Sequence, residues 1–292
     1  MQITDIIMDF DGTCTVIPAI YEAFLSEYLA GLNNTVFSGS PVLAAEWKEA
    51  LEKVKTHSPQ APWTIAFAPA APAGADPYIL SFEAARYLLQ KKKIQKDIPQ
   101  EVFKNASDRF PAPWRPEARE VFETLLRNNI NITFISNSSS TTITNRLLSL
   151  FSVEKLPFGI AVKSDAAKFR IAELSWYSAI PTGTRDLFLA VPPTHEDLGI
   201  GRPVYLRRAA YFEAICAAFN NDLSRLPTTV VCGDIWEMDL ALPYALGANI
   251  HLIERASPFD TYAYERKVTL QDATRGKISS DLRGLLEWVR HL

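Results

Sequence analysis

The sequence ITDIIMDFDGTCT, residues Ile3–Thr15, decides the fold. Its first part is a short apolar run rich in β-branched residues, and such a run predicts a buried strand over Ile3–Phe10. The run ends in two aspartates, Asp9 and Asp11, and a glycine that permits a sharp turn follows at once. Because residues two apart in a strand point to the same face, both carboxylates can face one ligand.

Length and composition indicate a large globular protein in a reducing compartment. The chain has 292 residues, 48% of them hydrophobic, so it can bury a sizeable core and is expected to divide into two units. A net charge of −3 gives no electrostatic argument for a nucleic-acid partner. No window approaches the roughly 18 apolar residues of a membrane span, and the chain begins with a strand rather than a secretion signal. Three cysteines without CxxC spacing favour free thiols in the cytoplasm.

The character of the chain changes after the first strand. Segments with helical spacing that start at Pro, Ser or Asp predict helices over 18–32, 40–58 and 76–93. Between the last two, the Pro/Ala-rich stretch 61–77 predicts an irregular loop. We therefore predict a helical domain at residues 16–110, inserted between the two parts of a second domain at 1–15 and 111–292.

In the second domain, strands alternate with helices. Apolar runs predict further buried strands at 130–136, 228–234 and 248–254. Amphipathic or capped segments predict helices at 115–129, 137–151, 207–221 and 279–292. Two segments look strand-like, 158–174 and 185–193, and an extended loop is predicted for 191–203. This alternation predicts an α/β, Rossmann-like three-layer core with a central parallel sheet covered on both faces.

Polar side chains end three of the predicted strands. They are Asp9 with Asp11, Ser136 with Asn137, and Asp234 with Asp239 shortly after it. In open α/β sheets, ligands bind outside the carboxyl ends of the strands. Carboxylates brought together repel each other unless a cation lies among them, and Mg²⁺ prefers oxygen ligands. A helix N-cap explains Asp234 equally well when it is taken alone, but acids that converge from distant strands predict a metal site.

These motifs resemble those of the haloacid dehalogenase superfamily, in particular its phosphatase-like members. The resemblance rests on DFDGT (Asp9–Thr13), on the strand that ends at Ser136, and on GDIWEMD (Gly233–Asp239), in this order. It implies a Mg²⁺-dependent enzyme whose inserted helical domain is a cap that closes over the site and selects the substrate.

The resemblance also implies a role for each motif residue. Asp9 is expected to be the nucleophile that becomes an aspartyl phosphate, and Asp11 the general acid and then the general base. Ser136 is expected to hold a phosphoryl oxygen. The expected Mg²⁺ ligands are Asp9, the backbone carbonyl of Asp11, and Asp234, with Asp239 as a further ligand or a partner of the ligands. Other positions expected to line the phosphate are Gly12, Thr13 and Asn137.

The chain departs from the family pattern in two places. The stretch 141–203 is longer than the superfamily commonly needs between its second and third motifs. The lysine expected just before the third-motif helix is not obvious, and Arg207 and Arg208 stand at the start of that helix instead. We predict that one of the pair is the phosphate-binding cation, Arg208 rather than Arg207, and that the other is a surface or acid-paired arginine. Lys168 and Arg202 are the alternatives.

The predicted function is hydrolysis of a small phosphorylated metabolite by a cytoplasmic, Mg²⁺-dependent phosphatase. The second Asp of the first motif favours phosphoryl transfer over dehalogenation, since relatives that attack carbon generally lack it. A phosphotransferase or a phosphonate-cleaving enzyme would use the same nucleophile. From another class, a catalytically weak protein that binds phosphate-bearing ligands is a further alternative. The sequence specifies neither the substrate nor the oligomeric state.

Overall fold

A computed structural model describes residues 2–176, 178–195 and 198–289. The strands are β1 (Asp5–Met8), β2 (Pro62–Ile65), β3 (Ala68–Pro72), β4 (Asn131–Ile135), β5 (Ile160–Lys163), β6 (Thr194–His195), β7 (Val204–Tyr205), β8 (Thr229–Gly233), β9 (Asn249–Ile253) and β10 (Gly276–Ser279). The α-helices are α1 (Tyr21–Asn34), α2 (Ala44–His57), α3 (Pro77–Lys91), α4 (Gln100–Arg109), α5 (Ala118–Arg127), α6 (Ser140–Phe151), α7 (Thr182–Ala190), α8 (Ala209–Ala218), α9 (Ala241–Ala245) and α10 (Ala263–Thr269). Short 3₁₀ or π turns lie at Ile17–Ile20, Leu223–Thr228, Trp236–Leu240 and Leu282–Trp288.

Six parallel strands form the central sheet, in the order β10-β9-β8-β1-β4-β5. All of β1 is buried, because it lies in the middle of the sheet between β8 and β4. Its side chains alternate between the two faces: Ile6 packs with α5 and α6, and Ile7 packs with α8 and α10. The predicted α/β core with a central parallel sheet and helices on both faces is confirmed.

Helices α1 to α4 form a helical unit between β1 and α5. They share one hydrophobic cluster, which includes Phe24, Tyr28, Trp47 and Leu88. The chain leaves the core and returns to it at adjacent points, because Thr15 forms an antiparallel bridge with Trp114. The three helices predicted for this region are present as α1, α2 and α3. The predicted domain boundaries at residues 15/16 and 110/111 stay predictions.

Three local predictions are wrong. The loop predicted for 61–77 contains the hairpin β2-β3, whose Trp63, Ala70 and Ala71 are half-buried or buried against the rest of the protein. The strand predicted for 185–193 is helix α7, in which Phe188 is buried and the adjacent leucines are about half exposed. The predicted C-terminal helix is a 3₁₀ helix preceded by the unpredicted strand β10, and its last residues, 290–292, lie outside the described part.

Within the described ranges, no helix combines the length and the apolar character that crossing a lipid bilayer requires.

Candidate active site

Three buried aspartates converge at the carboxyl edge of the sheet. Asp9 follows β1, and Asp234 and Asp239 follow β8, which is the neighbour of β1. One carboxylate oxygen from each lies within 4.8 Å of one from each of the others. The parallel register of β1 and β8 produces this convergence, because it ends both strands at the same edge.

Lys168 lies among these acids. Its Nζ donates to Oδ1 of Asp9 at 2.5 Å and to Oδ1 of Asp239 at 2.6 Å. The side chain is fully buried, and its ammonium group lies 5.7 Å from the centre of the Tyr211 ring. Burial opposes its charge, but the carboxylates of Asp239 and Asp9 outweigh burial and raise the pKa of Lys168. The lysine is therefore a fixed positive charge beside Asp9.

The turn after Asp9 brings the backbone close to Asp234. Gly12 adopts a φ of +83°, and a Cβ placed on it would lie 2.5 Å from Oδ2 of Asp234. A side chain at this position would therefore fill the space next to that carboxylate. Thr13 continues the turn, and its hydroxyl lies 2.9 Å from Oδ2 of Asp9 and 3.2 Å from Oδ1 of Asp234. From the opposite side, Arg115 donates to the carbonyls of both turn residues.

Asp11 has different neighbours from Asp9. Its carboxylate accepts a hydrogen bond of 2.5 Å from the hydroxyl of Ser138, which begins the turn after β4. Burial raises the pKa of Asp11, and Ser138 and the nearby Arg146 oppose that shift. Burial raises the pKa of Asp76 and of Tyr78 at the N-terminus of α3, and the charge of Asp11 adds to both shifts. The hydrogen bond from Ser138 therefore distinguishes Asp11 from Asp9, which contacts Lys168.

The charge balance of the cluster fits a hard cation. Burial raises the pKa of Asp9 to about 7, against the effect of Lys168. Burial and the neighbouring Asp239 also raise the pKa of Asp234. Both carboxylate oxygens of Asp239 accept hydrogen bonds, from Lys168 and from the backbone N–H of Ile235 at 3.0 Å. Among the described residues, the only donor to the carboxylate of Asp234 is the hydroxyl of Thr13. Asp234 therefore offers the least occupied carboxylate oxygens for Mg²⁺, whereas Asp9 and Asp239 both also bind Lys168.

A second buried ion pair supports the loop that carries Asp234. Arg255 donates to the backbone carbonyl of Asp234 and pairs with Glu265 at 2.5 Å. Glu265 in turn accepts the backbone N–H of Trp236 at 3.0 Å. Sequence reasoning missed this pair, because no spacing or motif connects two residues that follow β9 with a loop after β8.

The residues that follow β4 line the same edge. Ser136 is buried, and its hydroxyl accepts the backbone N–H of Ser138 at 3.2 Å. The side-chain oxygen of Asn137 accepts the backbone N–H of Lys168 at 2.7 Å. Asn137 thus holds the backbone of the lysine, while Ser136 lies next to the partner of Asp11.

The arginines predicted as phosphate ligands lie elsewhere, which corrects the prediction for Arg207 and Arg208. Arg207 donates to the carbonyls of Val191 and Leu189 and pairs with Glu173 at 3.1 Å. The guanidinium group of Arg208 donates to the carbonyls of Lys168, Ala70 and Tyr205. Arg202, the other arginine considered, forms a two-bond ion pair with Glu237 at 3.0 and 2.6 Å.

The position of the extra residues within 141–203 explains why the prediction chose the arginines instead of Lys168. After β5, the chain folds back over the end of β4, and the N–H of Ala166 donates to the carbonyl of Ser136 at 3.0 Å. This return brings Lys168 to Asp9, while helix α8 begins only at Ala209. The extra residues therefore lie between Lys168 and helix α8. For this reason, the spacing between a lysine and that helix could not identify Lys168 from the sequence.

Comparison with solved structures supports the fold. A putative β-phosphoglucomutase from Thermotoga maritima matches with a TM-score of 0.51 and 12% identity over 99% of each chain. A putative HAD-hydrolase from Bacillus subtilis, bound to magnesium, matches with a TM-score of 0.46 and 12% identity over 99% of each chain. An L-2-haloacid dehalogenase matches with a TM-score of 0.42 and 14% identity over 98% of each chain. The chain therefore shares the fold of the β-phosphoglucomutase structure, as expected from the sequence.

No model of a protein family matches the chain. No curated protein matches it either.

Proposed function

We propose that the protein is a Mg²⁺-dependent phosphatase that hydrolyses a small phosphorylated metabolite. The observation that carries the proposal is the contact of 2.5 Å between Lys168 and Asp9, next to the carboxylate of Asp234. A nucleophilic carboxylate must be ionised to attack, and a fixed ammonium group favours its ionised form although burial opposes it. Mg²⁺ held by Asp9, Asp234 and the turn at Asp11 would add positive charge against the phosphoryl oxygens.

The two aspartates of the first motif divide the chemistry. A carboxylate oxygen of Asp9 forms a bond to phosphorus while the bond from phosphorus to the ester oxygen breaks. Asp11 gives its proton to the leaving oxygen, and its raised pKa favours the protonated form that this step needs. Asp11 then takes a proton from a water molecule, whose oxygen attacks the phosphorus of the aspartyl phosphate and releases inorganic phosphate and Asp9.

The remaining residues of the site hold the phosphoryl group or its partners. Lys168 and Thr13 each contact Asp9 and can reach oxygens of the group bound to it. Ser136 and Asn137 lie at the end of the adjacent strand β4, and Asn137 also holds the backbone of Lys168. Hairpin residues Ala71 and Trp63 pack against Ile235 and Met238 of the loop after β8, so part of the helical unit covers the loop that follows Asp234. A covered site favours a small substrate.

The three cysteines support a reducing compartment. Cys14, Cys216 and Cys232 are all buried and unpaired. We therefore propose the cytoplasm as the location. The net charge of −3 favours a small molecule, rather than a nucleic acid, as the partner.

Hydrolysis of p-nitrophenyl phosphate tests the proposal. We expect turnover with Mg²⁺, none with a chelator, and none in Asp9→Asn, which keeps the size of the side chain and removes the nucleophile. Circular dichroism of the variant checks that its fold is intact. A panel of haloacids, assayed by halide release, tests carbon attack in parallel. Phosphatase activity that persists in the chelator or in Asp9→Asn would contradict the proposal, and halide release without phosphatase activity would replace it with dehalogenation.

A further inference from the structure

Arg208 is a fully buried cation that bonds to backbone carbonyls of two different parts of the protein. Its guanidinium group donates to the carbonyl of Lys168 at 2.7 Å and to the carbonyl of Ala70 at 2.8 Å. Ala70 lies on strand β3 of the hairpin in the helical unit, 138 residues away along the chain. One side chain therefore connects the hairpin of the helical unit to the backbone of the lysine that contacts Asp9.

The charge of Arg208 is retained in spite of burial. Burial lowers its pKa to about 10, while the carboxylates of Glu237 and Asp239 act in the opposite direction. The guanidinium is therefore charged at neutral pH, and its hydrogen bonds to carbonyls are charge-assisted. Its planar, rigid fork binds the carbonyl of Lys168 through Nη1 and that of Ala70 through Nη2, whereas a lysine would have to reach both carbonyls from a single nitrogen.

A hydrophobic contact connects the same two parts independently. Phe169, the residue after Lys168, lies 5.5 Å from the ring of Trp63 on strand β2. Both rings pack against one hydrophobic cluster, which joins the hairpin, the connection to α3, α3 itself and the loop after β8: Ala71, Ala75, Ile79, Ile235 and Met238. The hairpin, the lysine segment and the loop that carries Asp234 thus share one contact region.

We propose that Arg208 is a positioning residue that makes the placement of Lys168 depend on the seated hairpin. When the hairpin is in place, Arg208 joins the carbonyl of Ala70 to that of Lys168, and the ammonium group lies between Asp9 and Asp239. When the hairpin leaves, Arg208 loses one of its partners and the lysine segment loses the packing of Phe169 on Trp63. The catalytic consequence rests on the proposed phosphatase function, whereas the physical link does not.

Kinetics of matched variants test the catalytic consequence. Arg208→Met keeps an unbranched side chain of moderate length and removes the fork, and Arg208→Lys keeps the charge without the fork. Arg207→Met is the control, because the adjacent arginine also binds two carbonyls but contacts neither the hairpin nor Lys168. We expect kcat for p-nitrophenyl phosphate to fall about 10²-fold in Arg208→Met, the loss typical of a misplaced catalytic group. Arg208→Lys should lose less, and the control should stay within about twofold of the wild type.

A double-mutant cycle separates positioning from a general structural role. The dissociation constant of inorganic phosphate is measured by calorimetry with Mg²⁺, for Arg208→Met in the wild-type and in the Lys168→Met background. If Arg208 acts through Lys168, its substitution should weaken phosphate binding in the first background and have no effect in the second. An equal loss in both backgrounds would overturn the proposal.

Hydrogen exchange of the hairpin tests the link without relying on activity. Backbone amides of the non-proline residues in 62–72 should exchange faster in Arg208→Met than in the wild type, and at the wild-type rate in Arg207→Met. If Arg208→Met does not fold, Arg208→Lys is used for the same comparison. Unchanged exchange in a folded Arg208 variant would overturn the link even in an active phosphatase. A wild type that neither binds phosphate nor turns over substrate would overturn the proposed function and leave the exchange result to decide the link.

Discussion

Asp9 and Asp11 lie one residue apart, yet their surroundings suit them to different tasks. Asp9 contacts a buried ammonium group and a hydroxyl, whereas Asp11 contacts only the hydroxyl of Ser138 among its described hydrogen bonds. Burial raises the pKa of both carboxyl groups, but it is opposed at Asp9 chiefly by the ammonium group of Lys168 and at Asp11 chiefly by the hydroxyl of Ser138. Pairs of carboxylates with such different environments are suited to serve as nucleophile and acid.

Asp11→Asn should therefore slow turnover according to the leaving group. We expect a loss of roughly 10²–10⁴-fold for alkyl phosphates, because their leaving oxygen needs a proton. The loss should be smaller for p-nitrophenyl phosphate, whose leaving group is already stable as an anion. Steady-state kinetics on both substrates measures the difference. Equal losses for the two substrates would show that Asp11 acts through structure alone.

Gly12→Ala should impair the site more than its backbone strain explains. The new Cβ would lie 2.5 Å from Oδ2 of Asp234, so the carboxylate must move away from its position. Gly247→Ala is the matched control, because Gly247 also has a positive φ, +102°, but nothing lies within 4 Å of its Cβ position. Both variants should lose about 1–3 kcal/mol of stability from strain. Only Gly12→Ala should raise the Mg²⁺ concentration needed for half-maximal activity, and an equal requirement in the two variants would contradict this account.

At the scale of elements, strand β9, between β10 and β8, carries a buried histidine that does not take part in the site. His251 on β9 lies between Trp288, which donates to its Nδ1 at 3.0 Å, and the hydroxyl of Ser279, 2.7 Å from its Nε2. Because the tryptophan N–H can only donate, the ring is neutral with its proton on Nε2. Burial, and then the charge of Lys277, lower its pKa to about 3.

This histidine should make the fold less stable in acid. The unfolded chain takes up a proton near the ordinary pKa of about 6.5, whereas the folded chain does not until about pH 3, so stability falls as the pH drops below 6.5. At pH 4.5 the loss relative to neutral pH should be about 2–3 kcal/mol. Urea unfolding of the wild type and of His251→Gln at pH 7 and 4.5 measures it. The free energy of unfolding of the wild type should exceed that of His251→Gln by less at pH 4.5 than at pH 7. An equal difference at the two pH values would count against a neutral histidine.

At the scale of the whole molecule, the core and the helical unit meet where buried charge is concentrated. Asp9, Asp234 and Asp239 cluster at this junction, and Lys168 pairs with only two of them, so the cluster holds more carboxyl groups than contacting cations. The excess repulsion destabilises the folded state, and a bound cation relieves it. Metal binding and folding are therefore expected to be coupled.

Mg²⁺ should raise the melting temperature of the protein. At 100 times its dissociation constant, a ligand specific for the folded state stabilises it by about 2.7 kcal/mol. Asp234→Asn removes one of the repelling charges, so it should melt higher than the wild type without metal and respond less to Mg²⁺. Differential scanning calorimetry at constant ionic strength, with Na⁺ as the control cation, tests both effects. A full Mg²⁺ response in Asp234→Asn would place the metal elsewhere.

The sequence by itself determined the parallel core and the position of the acids. Apolar runs such as Ile3–Phe10 predict buried strands from local pattern alone, and an acid at the end of a parallel strand must lie at the ligand-binding edge. Asp9, Asp11 and Asp234 could be identified because each is adjacent in sequence to the strand that positions it.

Only the tertiary structure decided which cation joins them. Lys168 follows β5 by a few residues of irregular loop, and its place beside Asp9 depends on the return of the chain over the end of β4. The hairpin β2-β3 could not be predicted from the sequence for a similar reason. Its alanines and prolines have little strand propensity, and the hairpin depends on their packing against the core. Local pattern reports which residues prefer burial, whereas long-range packing selects their partners.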